Sequence, residues 1–248
     1  MTDPVRYAVA DGVATITLDR PESRNALNSA MCERLLRAAA DAAADEGVRV
    51  VFVRANGPVF CAGADLRERK EMNEDQVRAR RLKAFAAYDA LERLPMPAIA
   101  VVHAAAVGSG CEIAAACDFI VATPAASFRT PEALWGTVGA TQRLPRVLGK
   151  RLAKDLMFTG RTLGAAEAQA AGLVSRIVPA DGLDAALAEI AQTIAAAPPA
   201  ALRLAKRCID RGVELDPRGA LATELLAIEE NLAGADWRAG VSGFGDKG

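Results

Sequence analysis

Two runs of apolar residues constrain the fold of this chain more than any other feature. Residues 48–54 are VRVVFVR and residues 98–103 are AIAVVH. Apolar runs of this length, without polar alternation, are typical of β-strands covered on both faces. Helical patterns lie between such runs up to about residue 130, so the first part of the chain is expected to form an α/β layer structure.

The elements around these runs can be predicted from turn and capping residues. Residues 6–10 and 14–18 flank Asp11-Gly12 and are expected to form a β-hairpin. A helix is predicted over residues 29–46, with Ser29 as its N-cap and Gly47 as its end. Residues 67–94 are charged at first and then helical.

After about residue 130 the patterns become mainly helical. Only residues 175–178 resemble a strand, and helices are predicted over residues 164–172, 183–197, 200–213 and 217–233. We therefore expect a core over residues 1–180 and a helical C-terminal region over residues 181–248.

Composition excludes several classes of partner. Thirty basic and thirty-one acidic residues leave a net charge of -1, so no surface for nucleic acid or an anionic membrane is expected. The five cysteines lack CxxC spacing, which argues against a disulfide framework or a zinc site and favours a reduced, cytoplasmic protein. No targeting segment or membrane span is predicted.

Three short stretches carry the candidate chemistry. They are FCAGADL at residues 60–66, GSGCE at residues 108–112 and TPE at residues 130–132. Together they offer two carboxylates, Glu112 and Glu132, and backbone N–H groups in glycine-rich turns. Such groups can move protons beside a carbonyl that becomes an enolate. His103 is the only histidine, so a Ser-His-Asp triad is not expected, and no GxxxxGK or GxGxxG fingerprint is present.

These motifs, with RPE at residues 20–22, NALN at residues 25–28 and TQRL at residues 141–144, occur in the order typical of one family. The chain resembles the enoyl-CoA hydratase/isomerase (crotonase) family from about residue 5 to residue 245. The resemblance implies a spiral of ββα units followed by a helical trimerisation region, with homotrimers often paired into hexamers. It also implies an acyl-CoA thioester as substrate and no separate cofactor, because coenzyme A is part of that substrate.

The resemblance assigns a role to each motif. The N–H groups of Ala64 and Ser109 would bind the thioester oxygen, and Ser109 stands where the family commonly has glycine. Glu112 would activate water for attack at Cβ, and Glu132 would exchange a proton at Cα. The implied substrate-binding residues are Arg24, Ala62, Ala64, Asp65, Leu66, Arg67, Ser109 and Gly139.

The paired glutamates favour an enoyl-CoA hydratase. One departure leaves alternatives open: residues 133–140 are shorter than the corresponding turn of the family, which helps to hold the water, and they lack its Pro-Gly pair. Gly139 is the candidate replacement. The alternatives are a Δ3,Δ2-enoyl-CoA isomerase and a catalytically idle acyl-CoA-binding protein. The charged segment at residues 67–81 is expected to be a solvated helix or a lid.

Overall fold

Nine β-strands form two sheets in the computed structural model, which describes residues 3–234 and 236–242. The strands are β1 (Val5–Ala10), β2 (Val13–Leu18), β3 (Val50–Ala55), β4 (Ala98–Val102), β5 (Ala105–Val107), β6 (Phe119–Ala122), β7 (Ser127–Arg129), β8 (Leu163–Gly164) and β9 (Arg176–Ile177). The larger sheet has the order β1-β2-β3-β4-β6-β9, and only its β1–β2 pair is antiparallel. The smaller sheet has the order β5-β7-β8.

Ten α-helices accompany the sheets in the described part of the chain. They are α1 (Ser29–Ala44), α2 (Leu66–Lys70), α3 (Glu74–Glu92), α4 (Ser109–Ala115), α5 (Arg143–Thr159), α6 (Ala165–Ala170), α7 (Leu183–Ala196), α8 (Pro199–Gly212), α9 (Pro217–Ala233) and α10 (Asp236–Ser242).

The two apolar runs form adjacent parallel strands, β3 and β4, in the middle of the larger sheet. Alternate side chains of these strands enter two different hydrophobic clusters. One cluster contains Val51 and Ala100 and lies against α1 and α3, while the other contains Phe52 and Ile99 and lies against α7. Burial of each such large side chain contributes about 1.5–3 kcal/mol. The prediction of strands covered on both faces is confirmed.

The predicted hairpin is also confirmed. Asp11 and Gly12 between β1 and β2 have φ angles of 50° and 75°. Two consecutive positive φ angles are the signature of the type I′ turn, whose twist matches that of the flanking strands.

The predicted N-cap of the first long helix was wrong by one residue. Asn28 has extended backbone angles, and its side-chain oxygen accepts a 2.9 Å hydrogen bond from the Met31 N–H. Ser29 is therefore already helical. The helix ends at Ala44, three residues before Gly47, because Asp45 leaves helical geometry.

Helix α5 and several short strands were absent from the predicted elements. Gly149 interrupts α5 with φ 73° and ψ 158°. The apolar residues of α5 therefore do not follow one continuous period of 3.6 residues. Strands β5, β7 and β8 have two or three residues each, too few to show a period of two. The C-terminal helices α7, α8 and α9 lie where they were predicted, although α7 packs on the core sheet beyond the boundary set at residue 180.

Within the described residues no single helix is both long and apolar enough to cross a membrane. Only the segments Ala180–Ala196 and Pro199–Gly212, bent by 102°, would reach that length and apolarity together.

The loop at residues 60–65 is fixed by backbone contact with β5. The Val107 N–H donates to the Cys61 carbonyl at 2.8 Å, and Cys61 and Ala106 form a parallel bridge. Gly110 in α4 allows this approach, because a methyl group there would lie 2.6 Å from the Cys61 oxygen and 2.9 Å from its Cβ. The loop and the start of α4 therefore lie side by side.

We predict that Gly110→Ala lowers stability by about 1–3 kcal/mol, because the added methyl group must displace backbone at this contact. Thermal or urea unfolding measures the change. Gly164→Ala is the matched control, since no atom lies within 4 Å of a methyl group there. Equal stability of the two variants would contradict the proposed close packing.

Candidate active site

A cavity of about 250 Å³ lies between the loop at residues 62–66, α3, the start of α4 and the turn at residues 131–140. Of the predicted site residues, it is lined by Ala62, Ala64, Leu66, Ser109, Glu112, Glu132 and Gly139. The structure thus brings both candidate carboxylates and both candidate N–H donors to one cavity.

The other predicted substrate-binding residues, Arg24, Asp65 and Arg67, do not line this cavity. The Asp65 carboxylate caps α2 by accepting from the N–H groups of Arg67 and Glu68, and it pairs with Arg20 at 3.1 Å. The Arg24 carbonyl accepts from the Ala62 N–H. These contacts hold the loop in place, and contact of these three residues with a substrate stays a prediction.

The Ala64 N–H points away from the neighbouring backbone. Leu27 donates to the Gly63 carbonyl at 2.7 Å and accepts from the Asp65 N–H at 2.9 Å. Along an extended segment the backbone N–H groups of successive residues point to opposite sides. The Ala64 N–H therefore points away from Leu27, to the side where the cavity lies. We find no acceptor for it in the described ranges 3–234 and 236–242.

The second candidate donor is the N–H of Ser109, the first residue of α4. N–H groups in the first turn of a helix have no partner within that helix. Gly108 precedes it with φ 51° and ψ -107°, a conformation that glycine adopts far more readily than other residues. Its own N–H donates to the Arg129 carbonyl at 2.9 Å, which anchors this turn to β7.

Gly108 also brings the Glu132 carboxylate close to the two donors. A methyl group at Gly108 would lie 2.6 Å from Glu132 Oε1 and 3.9 Å from the Gly63 Cα. Glu132 begins a short 3₁₀ helix, Glu132–Trp135, directly after Pro131. The carboxylate therefore lies over the glycine turn rather than in solvent.

Glu112 lies on α4 and is only 5% exposed. Its Oε2 accepts a 3.0 Å hydrogen bond from Arg143 Nη1, and Arg143 in turn pairs with Glu92 on α3. The Arg143 guanidinium also lies 5.8 Å from the centre of the Tyr88 ring. Arg143 thus binds one carboxylate oxygen of Glu112, and Glu92 and Tyr88 fix the position of Arg143.

Each carboxylate keeps one oxygen without a protein partner. Glu112 Oε1 and Glu132 Oε2 are buried and form no hydrogen bond within the residues that the structure describes. A buried carboxylate oxygen left unpaired is costly, so it usually marks a position where a ligand or water binds.

Burial has the largest influence on the pKa of both Glu112 and Glu132. It raises the pKa of Glu112, and the charge and hydrogen bond of Arg143 act in the opposite direction. It also raises the pKa of Glu132, where the nearby charge of Glu112 adds to the rise and Arg81 opposes it. The environments differ, because Glu112 contacts an arginine directly and Glu132 makes no such ion pair among the described side chains.

The shortened turn is tied to α2 and α3. Arg81 Nη1 donates to the Val138 carbonyl at 2.5 Å, and the Arg81 and Arg69 side chains both reach Thr137 Oγ1. Gly139 lies against Glu132, since a methyl group there would be 3.3 Å from its Cγ. Ala140 closes the turn in the left-handed region, with φ 54°.

Arg143 belongs to the TQRL motif, but nothing in the sequence indicates its contact with Glu112. A basic residue in the first turn of α5 resembles a solvated charge until the fold places it over α4. Of the two expectations for the charged segment, the structure favours the one that places it over the cavity, because Arg69, Arg80 and Arg81 line the cavity.

Among residues 3–234 and 236–242, no three His, Cys, Asp or Glu side chains are grouped so that they could hold a metal ion.

Comparison with known proteins identifies the family. The sequence model of the enoyl-CoA hydratase/isomerase family matches residues 8–248. The chain is 40% identical to enoyl-CoA hydratase domain-containing protein 2, mitochondrial, of Bos taurus, over 95% of this chain and 82% of that protein. It is 35% identical to the enoyl-CoA isomerase/hydratase fer4 of Mycosarcoma maydis, over 99% and 94% of the two chains.

Solved structures agree with this assignment. The enoyl-CoA hydratase from Bacillus anthracis is 36% identical with a TM-score of 0.94, covering 98% of this chain and 96% of that one. The protein belongs to the enoyl-CoA hydratase/isomerase family and has the crotonase fold, as the resemblance implied. Family membership supports an enzyme that acts on CoA thioesters.

We predict that Arg143→Gln shifts the acid limb of the pH–rate profile to higher pH. Arg143 lowers the pKa of Glu112, so its removal raises that pKa, and the ionised carboxylate is then available only at higher pH. The measurement is kcat/KM for an enoyl-CoA against pH. Arg146 lies on the same helix as Arg143 and forms an exposed ion pair with Glu214. The control variant Arg146→Gln should therefore leave the profile unchanged. A uniform loss of rate at every pH would contradict the role assigned to Arg143.

Proposed function

We propose that the protein is an enoyl-CoA hydratase that adds water across the 2,3 double bond of 2-enoyl-CoA thioesters. The observation that carries the proposal is the pair of unpartnered oxygens, Glu112 Oε1 and Glu132 Oε2, in the cavity that Ala64 and Ser109 also line. Two carboxylate oxygens can bind one water, and two N–H groups can bind one carbonyl oxygen.

In the proposed reaction the thioester oxygen accepts hydrogen bonds from Ala64 and Ser109. Glu112 takes a proton from water, and the hydroxide oxygen bonds to Cβ while the double-bond electrons move to the thioester oxygen. The two donors stabilise this enolate, and an interaction of this kind contributes roughly 3–4 kcal/mol where one donor has been removed in other enzymes. Glu132 then gives its proton to Cα.

The electrostatics favour this division of roles. Arg143 bonds directly to Glu112 and stabilises its ionised form, whereas the charge of Glu112 disfavours ionisation of Glu132. We therefore assign the role of base to Glu112 and the role of acid to Glu132, with the resting proton belonging to the pair. One base and one acid are then present at the same pH, and proton exchange through water restores them after each turnover.

Gly139 is the proposed replacement for the backbone donor that the shortened turn lacks. Its position supports this role, since Gly139 lines the cavity and lies against Glu132. No separate cofactor is proposed, because this chemistry needs only acids, bases and backbone donors besides the substrate's own coenzyme A.

A Δ3,Δ2-enoyl-CoA isomerase is the second candidate. The compressed turn at residues 133–140 favours it, because proton exchange at Cα by Glu132 requires no firmly held water. A 3-enoyl-CoA substrate distinguishes the two: an isomerase forms the conjugated 2-enoyl thioester and does not hydrate it.

We predict that Glu132→Gln and Glu112→Gln each lower kcat for hydration of crotonyl-CoA by about 100-fold or more, because each variant loses one proton-transfer group. Loss of the absorbance of the conjugated thioester measures the rate. Calorimetry with butyryl-CoA should give a near wild-type affinity for both variants.

Glu189→Gln on the exposed side of α7 is the control and should keep full activity. No hydration by the wild-type protein of any 2-enoyl-CoA from four to sixteen carbons would reject the hydratase. Binding of butyryl-CoA with no turnover of either 2-enoyl or 3-enoyl substrates would indicate the idle acyl-CoA-binding protein.

We further propose a homotrimer or a pair of trimers, built through the C-terminal helices. Helix α9 exposes a row of large apolar side chains, with Leu221, Leu225 and Leu226 each more than half exposed. A cytoplasmic location is also a proposal. The five cysteines are free, which suits a reducing compartment, but the name of the bovine relative places that protein in mitochondria.

A further inference from the structure

The cavity carries more positive charge than the proposed hydration needs. Four arginines and two glutamates line the cavity: Arg69, Arg80, Arg81, Arg129, Glu112 and Glu132. Both glutamates belong to the proposed chemistry, so the charge of the arginines needs a separate explanation.

Two of these arginines are accounted for by contacts within the protein. Arg80 is 7% exposed, donates to the Leu27 carbonyl and lies 3.9 Å from Glu68. Arg129 Nε donates to the Gly160 carbonyl at 2.5 Å. Their positions are explained by support of the surrounding backbone.

Arg69 and Arg81 differ from them. Neither has a carboxylate within 4.0 Å among the described residues, and both guanidinium groups converge on Thr137 Oγ1, a neutral acceptor. Burial lowers the pKa of Arg81, and the neighbouring charges of Arg69 and Arg80 lower it further. Like charges held together at a cavity wall, with no carboxylate bonded to them among the described residues, provide a field that attracts an anion.

The cavity wall that carries Arg81 is formed by α3 and lies next to the turn that follows Glu132. Arg81 shares α3 with the cavity residues Val77 and Phe85, and it bonds to the turn that follows Glu132. This wall belongs to the same cavity as Ala64, Ser109 and Glu132, and the proposed binding mode places the carbons beyond Cβ along it. A purely apolar acyl chain there would remove water from two guanidinium groups without replacing it, which is unfavourable.

We propose that this wall binds an anionic group at the end of the acyl chain, so that the preferred substrates are 2-enoyl-CoA thioesters with a terminal carboxylate. This inference rests on the proposed function and narrows its substrate class. A guanidinium has five N–H donors, and Arg81 uses two groups for Val138 and Thr137, so it can bind a carboxylate without releasing the turn.

The test compares glutaconyl-CoA, which ends in a carboxylate, with 2-pentenoyl-CoA, which has the same chain length and no charge. The wild-type protein should show a kcat/KM for glutaconyl-CoA at least about 10-fold higher, because a charge-assisted hydrogen bond contributes that much or more. Arg81→Gln should lower kcat/KM for glutaconyl-CoA at least about 10-fold more than for 2-pentenoyl-CoA, whose own loss measures the support that Arg81 gives to the turn.

Arg78→Gln is the matched control, since Arg78 lies on the same helix and pairs with Asp75 in solvent. Arg69→Gln gives a second measurement if Arg81→Gln does not fold, as judged by circular dichroism. An equal loss for both substrates would overturn the inference, because it would assign Arg81 either to a phosphate of coenzyme A or to the positioning of Glu132.

Binding experiments separate this inference from the proposed function. Glutaryl-CoA and pentanoyl-CoA are saturated analogues that need no turnover. Tighter binding of glutaryl-CoA that depends on Arg81, in a protein that hydrates nothing, supports the anion site and rejects the hydratase. Hydration of 2-pentenoyl-CoA without any preference for glutaconyl-CoA supports the hydratase and rejects the anion site.

Discussion

The backbone contact between Cys61 and Ala106 is the constraint on which the candidate site depends. It joins the loop after β3 to β5 and so places the Ala64 N–H beside the first turn of α4. Side chains contribute little to this alignment, because Gly110 lets the Cys61 carbonyl approach α4 more closely than any Cβ would allow. Donors fixed by secondary structure need no reorganisation when charge develops on a bound oxygen, which is the basis of electrostatic preorganisation. The proposed oxyanion site is therefore a consequence of how the two sheets meet.

The backbone positions the N–H donors, whereas neighbouring side chains set the pKa values of the two glutamates. Glu112 is buried and Glu132 is half-buried, and burial raises the pKa of both carboxyl groups. Arg143 breaks this symmetry by bonding to one of them. Glu92 and Tyr88 hold Arg143 in turn, so the proposed division into one base and one acid requires α3, α4 and α5 to be in place. This dependence on three helices explains why the division of roles belongs to the folded protein and not to either motif.

Local patterns predicted the parts of this structure that local forces determine. The hairpin at Asp11-Gly12, the doubly covered strands β3 and β4 and the helices α7 to α9 follow from turn chemistry and hydrophobic period. The motif order was enough to bring Glu112 and Glu132 into one site. Arg143 could not be predicted from its surroundings in sequence, because its partner Glu92 is fifty-one residues away and only the packing of α5 brings them together. The short strands β5, β7 and β8 are likewise set by pairing with one another rather than by their own residues.

The shortened turn links the two halves of the proposed chemistry. Gly139 lies against Glu132, and one residue earlier the Val138 carbonyl accepts a hydrogen bond from Arg81. A substrate group that binds Arg81 would therefore be linked through adjacent residues of this turn to Glu132, the acid proposed to serve Cα. Binding energy gained at a remote group can be used to position the reacting atoms, in which case it raises kcat rather than affinity alone. A turn with fewer residues has fewer conformations to lose, and the left-handed Ala140 shows that this one is held in a conformation that its sequence would not choose alone. In the proposed site, recognition of the acyl terminus and alignment of Glu132 are thus coupled through a single short segment.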